Sequence, residues 1–187
     1  VIALLRREVP DLPRSQALRP LLVDFAQQPA LPAADELYIT LGTTLKVAGS
    51  RPAFRAVDFD AVLDVARAAK QSGVRRVAVV SALGADARSP VFYNRVKGQA
   101  EQALRTLRFE RLVIARPSLL AGQRRALGQP RRVGEELSLR LLQPLGTLVP
   151  AAVRPIDAAV VARAMRLALR ADDVPALQIL DSSALQQ

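Results

Sequence analysis

Cysteine and histidine are both missing from the chain's 187 residues. The first absence excludes a disulfide framework and any thiolate metal site. The second removes the commonest general base, the commonest zinc ligand and every Ser-His-Asp triad. Chemistry is left to Tyr, Lys, Ser, Asp, Glu or a bound cofactor, and no metal is expected. Aromatic residues are scarce too, at 4% with no tryptophan and two tyrosines, so there is little to stack on nucleic-acid bases. Long apolar runs are also lacking: those at residues 77–80 and 137–145 fall well short of the roughly 20 residues a membrane helix needs. The opening VIALLRR puts its charges after the apolar run, unlike a secretion signal. A soluble cytoplasmic protein with no membrane partner is the expectation.

Arginine, in contrast, is plentiful. The net charge of +10 invites a nucleic-acid partner, but the basic residues lie along the whole chain, often beside alanine and on the polar sides of expected helices. Such scatter reads as solvated surface, and nucleic-acid binding is not expected. At 50% hydrophobic, the chain can bury the core of one full-sized domain and is too short for two. Residues 1–187 are taken as a single domain.

Short β-branched runs alternate with stretches of helical period. Strands are expected at residues 1–5, 20–25, 36–42, 74–82, 111–117 and 177–180, the second ending at Asp24 and the fifth at Pro117. Between residues 52 and 72, Phe54, Val57, Ala61, Val62, Val65, Ala66 and Ala69 recur at helical spacing, and Gly73 supplies the stop. Ser89 as cap and Pro90 in the first turn predict a second helix to about Arg108, and Pro155 starts another to about Arg170. Residues 122–134 read as a mobile Gly-, Pro- and Arg-rich loop, followed by a helix over 135–143. Strands alternating with helices define an α/β fold, a Rossmann-like doubly wound parallel sheet with helices on both faces. Ligands bind such sheets at the carboxyl ends of the strands. Arg6 and Arg7, Asp24 and Phe25, Gly42 to Thr44, Ser81, and Pro117 and Ser118 all fall at those ends.

The stretch SPVFYNRVKG puts Tyr93 and Lys97 four residues apart, one turn along one helix face. An ammonium near a phenol favours the phenolate, drawing the tyrosine from about 10 toward neutrality, where it can relay a proton without histidine. Ser81 ends the preceding strand, where its hydroxyl could hold a substrate oxygen beside the phenol. Tyr-x-x-x-Lys alone is a weak motif. Other readings stay open for the individual residues: solvated surface for Arg6 and Arg7, a strand end for Asp24, turn formers for Thr43 and Thr44, and close backbone packing for Ser81.

In their order the motifs resemble a known family. LGTTLKVAGSRPAFRAVDFD (41–60), RRVAVVSALGAD (75–86), FYNRVKGQAEQAL (92–104), RLVIARPSLLAGQR (111–124) and VRPIDAAVVARAM (153–165) are similar to the short-chain dehydrogenase/reductases in their atypical single-domain branch, the HIV-Tat-interacting-protein-like oxidoreductases. The resemblance implies an NAD(P)-dependent oxidoreductase acting on a small carbonyl or alcohol, with Ser81 and Tyr93 as catalytic groups and Lys97 on the nicotinamide ribose. It implies cofactor contacts from Arg6, Arg7, Asp24, Phe25, Leu41, Gly42, Thr43, Pro117, Ser118 and Leu119. Two guanidiniums where an acidic residue would select NAD favour NADP, with NAD the alternative.

Two departures stand beside the likeness. The family's first strand and glycine-rich turn would precede Val1, and no G-x-x-G-x-x-G occurs in the chain. In the implied strand order 3-2-1-4-5-6 that strand is central. The first two strands here are therefore expected to lose their hydrogen-bonded link to the rest, and a βα unit of roughly 25 residues is expected ahead of Val1. Ala82 stands where a second serine is expected. A second class of function is accordingly kept: a non-catalytic dinucleotide-binding regulatory or redox-sensing protein that engages a protein partner. Substrate identity and assembly into homo-oligomers stay open.

Overall fold

The computed structural model describes residues 1–9, 12, 15–25, 30–118, 120–121 and 154–186. The loop expected at 122–134 and the helix expected at 135–143 lie outside the described residues. Parallel strands alternate with helices. The strands β1 (Ile2–Leu5) and β2 (Arg19–Leu22) pair in parallel with each other. A four-stranded parallel sheet follows the order β3-β4-β5-β8, formed by β3 (Glu36–Ile39), β4 (Arg76–Val80), β5 (Arg111–Arg116) and β8 (Leu177–Asp181). A short parallel pair, β6 (Leu120–Ala121) with β7 (Ile156–Asp157), lies beyond β5. Among the described residues β1 and β2 form a separate sheet, the disconnection that the expected strand order requires.

The central strands are buried on both faces, and their side chains divide by parity. Val77 and Val79 of β4, with Leu112 and Ile114 of β5, enter one cluster; Ala78, Val113 and Ala115 enter the other. Successive residues of a strand point to opposite faces, so a continuous β-branched run fills both layers. Helices α3 (Val62–Gln71) and α4 (Phe92–Thr106) cover the first face through Val62, Leu63, Ala66, Ala69, Ala100 and Leu104. Helix α5 (Ala158–Arg170) covers the second through Val161, Met165 and Leu169.

The helix expected over residues 52–72 runs without a gap over 51–71 and carries a π-helical stretch in its middle. Thr44 caps the short α1 (Leu45–Ala48) and Ser50 caps α2 (Arg51–Arg55), each accepting a backbone N–H at 3.2 Å. A π-helical segment, Ala56–Ala61, then joins α2 to α3. Gly73 does stop α3. It takes a φ of 86°, and the Val74 N–H reaches back to the Ala69 carbonyl at 2.9 Å. Two helix starts differ from expectation. Helix α4 begins at Phe92 with no side-chain cap, because the Ser89 hydroxyl accepts from the Val91 N–H at 3.1 Å in a turn ahead of it. Helix α5 begins after β7, with Asp157 as its cap accepting from Ala159 N–H at 2.7 Å.

At the end of α5, Arg170 reaches across to β3 and donates to both carboxylate oxygens of Glu36, with its Nε at 2.9 Å from Oε1 and Nη2 at 2.9 Å from Oε2. Tyr38 donates to the same carboxylate at 2.9 Å. The Arg170 bond holds the Glu36 carboxyl below its ordinary value near 4.5. A carboxyl lowered in the folded state adds stability above its unfolded pKa and loses that contribution as pH falls through the folded value. The urea midpoint of Glu36→Gln should therefore lie below that of the parent chain at neutral pH, and the gap should close as pH is taken below the ordinary glutamate range.

Candidate active site

Most of the residues singled out from the sequence sit at the carboxyl edge of the four-stranded sheet. Leu41, Gly42 and Thr43 follow β3, Ser81 follows β4, and Pro117 and Ser118 follow β5. Tyr93 and Lys97 occupy successive turns of α4. Arg6, Arg7, Asp24 and Phe25 follow β1 and β2 and are positioned by the separate two-stranded sheet; both arginines are exposed. Leu119 lies outside the described residues.

Two buried charges of the site meet as an ion pair, Lys97 and a residue the sequence reading did not single out, Asp58. Lys97 is 6% exposed and Asp58 1%, and Lys97 Nζ lies 2.7 Å from Asp58 Oδ1. The second carboxylate oxygen accepts the Thr43 N–H at 2.8 Å. Asp58 thus ties the loop after β3 to α4, from within the π-helical segment. A signal for it was present: position 58 falls four residues after Phe54 and three before Ala61, on the apolar face of the expected helix, where an unpaired charge is costly. The loop backbone passes directly over the pair at Gly42, where an added Cβ would stand 3.3 Å from Asp58 Oδ1 and 3.6 Å from Lys97 Nζ.

Ser81 has a neighbour that the sequence reading did not name. Its hydroxyl donates to Glu101 Oε1 at 2.6 Å, one turn beyond Lys97, and Glu101 is 2% exposed. An ionised carboxylate only accepts, so the single hydroxyl proton of Ser81 is committed to Glu101 and its lone pairs remain to face a ligand. Arg116 grips both oxygens of Glu101, with Nε at 2.9 Å from Oε1, and that bond pushes the guanidinium above its already high value. Tyr93, Lys97 and Glu101 therefore form a column at i, i+4 and i+8 on α4. A small cavity with room for about one water lies between Asp58, Ser81, Lys97 and Glu101. The Tyr93 ring packs on Phe54, with centroids 5.5 Å apart. Ala82 is buried and brings no hydroxyl. Ser118 is engaged elsewhere, donating to the Arg154 carbonyl at 2.5 Å and accepting from Ser182 at 2.9 Å.

What sets the depth of the column is Gly98. A Cβ there would lie 2.2 Å from both Ala87 N and the Asp86 carbonyl carbon, so α4 touches the backbone of the loop that follows Ser81.

An ammonium and a carboxylate side by side beneath a glycine offer a donor and an acceptor to a pair of sugar hydroxyls, and in this respect the residues present fit the nicotinamide ribose of a dinucleotide. The pyrophosphate has no matching glycine-rich turn in the chain. The class that the fold defines is Rossmann-like. Solved structures agree: MoeE5 in complex with UDP-glucuronic acid and NAD superposes with a TM-score of 0.71 at 19% identity, covering 96% of this chain and 66% of that one. A UDP-galactose 4-epimerase gives 0.64 at 16% identity, covering 89% and 62%. No family model matches the chain. Among curated proteins, the chain is 44% identical over 93 residues to protein FMP52, mitochondrial, of Coccidioides immitis (strain RS), covering 50% of this chain and 38% of that protein. It is 38% identical over 129 residues to the FMP52 protein of Eremothecium gossypii, covering 66% and 56%. The matches thus span between about a third and somewhat over half the length of these relatives. Their designation as mitochondrial overturns the cytoplasmic placement expected from the sequence. The exclusions behind that placement concerned membrane spans and secretion signals, and neither distinguishes the two compartments.

Replacing Gly98 by alanine should cost about 1–3 kcal/mol, since the new methyl meets backbone on the loop rather than a side chain that can swing away. Thermal or urea unfolding of Gly98→Ala checks this, and unchanged stability would show that the loop after Ser81 yields freely.

Proposed function

We propose that the protein is an NAD(P)-dependent oxidoreductase acting on a small carbonyl or alcohol, with NADP preferred. The observation that carries this reading is the buried Lys97–Asp58 pair at 2.7 Å, one helical turn from Tyr93 at the carboxyl edge of a parallel sheet. Lys97, with the backbone of Gly42 beside its ammonium, would hold the ribose hydroxyls, together with Thr43 and Leu41 of the same loop. Pro117, Ser118 and Leu119 would border the nicotinamide, and Asp24 and Phe25 the adenine. Arg6 and Arg7 would grip a 2′-phosphate, which is the basis for preferring NADP.

The cofactor, when bound, supplies or takes up the hydride. Tyr93 would give its proton to the carbonyl oxygen in reduction and would take up the alcohol proton in the reverse direction. Ser81 can orient a carbonyl oxygen only by turning its hydroxyl proton from Glu101 Oε1 to the substrate. Placement with mitochondrial proteins follows the designation of the curated relatives. The second reading, a non-catalytic dinucleotide-binding protein that senses redox state and engages a protein partner, draws on one observation. The Ser81 proton is spent on Glu101, and Ala82 offers no replacement.

Titrating the full-length protein with NADPH and NADH while following its thermal stability tests the pocket and the phosphate preference together: NADPH should stabilise more. Tyr93→Phe should keep that stabilisation while losing at least a hundredfold in turnover on any carbonyl the parent reduces. Cofactor stabilisation with no turnover across a broad carbonyl panel would move the assignment to the second reading.

A further inference from the structure

Past the end of β5, side-chain hydroxyls from separate parts of the chain form a row that runs in one direction. The Ser182 hydroxyl, in the turn after β8, donates to Ser118 Oγ at 2.9 Å. The Ser118 hydroxyl donates in turn to the Arg154 carbonyl at 2.5 Å, just ahead of β7. Each hydroxyl has a single proton, so the direction of the row is fixed. Gln186 closes its outer end, with Nε2 donating to the Ser182 carbonyl at 3.0 Å. This glutamine belongs to a short helical turn, Ala184–Gln186, which Asp181 starts by accepting the N–H groups of Ser183 at 3.0 Å and Ala184 at 2.8 Å. Leu185 of the same turn lies in the second core cluster. The row is therefore anchored in the core.

Ser182 is 0% exposed and cannot itself touch a ligand. Its hydroxyl proton goes to Ser118, in the segment that leaves β5 at the ligand-binding edge of the sheet. That segment is held on its other side by the Leu83 N–H, which donates to the Pro117 carbonyl at 3.0 Å. Residues 117 and 118 are thus pinned between the loop after β4 and the turn after β8.

We propose that Ser182 is a positioning residue for the nicotinamide end of the cofactor, acting through Ser118. The proposal rests on the reading of residues 117–119 as the border of the nicotinamide. The adenosine end is assigned to Arg6, Arg7, Asp24 and Phe25, which follow the strands of a separate sheet, and the hydroxyl row includes none of them. Loss of Ser182 is felt at one end of the dinucleotide only, whereas a serine that merely supported the fold would weaken both ends alike.

The test uses the full-length protein and two ligands: NADPH, which spans both ends, and 2′,5′-ADP, which carries the adenosine end alone. NADH and AMP serve as the pair for a protein that takes NAD. Ser182→Ala should raise the Kd for the dinucleotide about fivefold, the worth of one hydrogen bond, and leave the Kd for the adenosine fragment unchanged. The fluorescence of the bound reduced nicotinamide should shift toward that of free cofactor. In a Ser118→Ala background, Ser182→Ala should add nothing, because it acts through Ser118. A parent that binds neither dinucleotide overturns the proposed function, and this inference with it. A parent that binds, with Ser182→Ala weakening both ligands equally or neither, overturns the role of Ser182 alone; further weakening in the double variant overturns action through Ser118. If Ser182→Ala does not fold, Gln186→Ala breaks the row at its outer end instead: weakening confined to the dinucleotide supports the proposal, and equal weakening or none overturns it.

Discussion

The ion pair between Lys97 and Asp58 is the constraint on which the site depends. A buried charge whose partner is removed costs about 3–5 kcal/mol, because the remaining ion has lost water without gaining a counter-charge. Neither residue can leave its place without exposing the other to that penalty. Three pieces of chain are fixed by it: α4 through Lys97, the π-helical segment through Asp58, and the loop after β3 through the Thr43 N–H. The phenol of Tyr93 inherits its position from this arrangement, with Phe54 against its ring.

A second buried carboxylate repeats the device one turn further along α4. Glu101 joins the end of β4 through Ser81 to the end of β5 through Arg116. Both carboxylates line a water-sized cavity, and each faces a cation and accepts a hydrogen bond from different elements. Such networks are stabilising only when every member is satisfied, since the low dielectric that strengthens each bond also raises the cost of a missing one. Gly98 lets this packing close, because any side chain there would strike the Asp86–Ala87 backbone.

The layered fold was legible because its signals are local. Val77 to Val80 and Leu112 to Ala115 are apolar on both parities, which only a strand buried on two faces requires, and Gly73 stopped its helix where a left-handed residue was needed. The widening of the helix was not legible. Nothing in residues 53–61 resembles a helix breaker, yet the helix widens there into the π-helical segment that carries Asp58. Tyr93 and Lys97 were found because a spacing of four is visible in one dimension. Asp58 and Glu101 are separated from Lys97 and Ser81 by 39 and 20 positions, and only the fold brings them together. Their one sequence trace was a charge on an apolar face, which identifies a residue in need of a partner without naming the partner.

Stability alone does not account for burying these four side chains. Well-packed apolar residues of similar volume hold a core as well as buried ion pairs do, without the desolvation penalty. In the column Tyr93, Lys97 and Glu101, the apolar alternative is realised nearby on the same helix by Val96, Ala100 and Leu104, all buried. One face of α4 is thus given to the core and the adjacent one to charges that are expensive to enclose. The expensive face is the one that meets the strand ends after β3, β4 and β5, where a parallel sheet presents its ligand-binding edge. Enclosing charge there makes physical sense when the charges act on something brought to them, because the same low dielectric that makes them costly strengthens their effect on a group placed beside them.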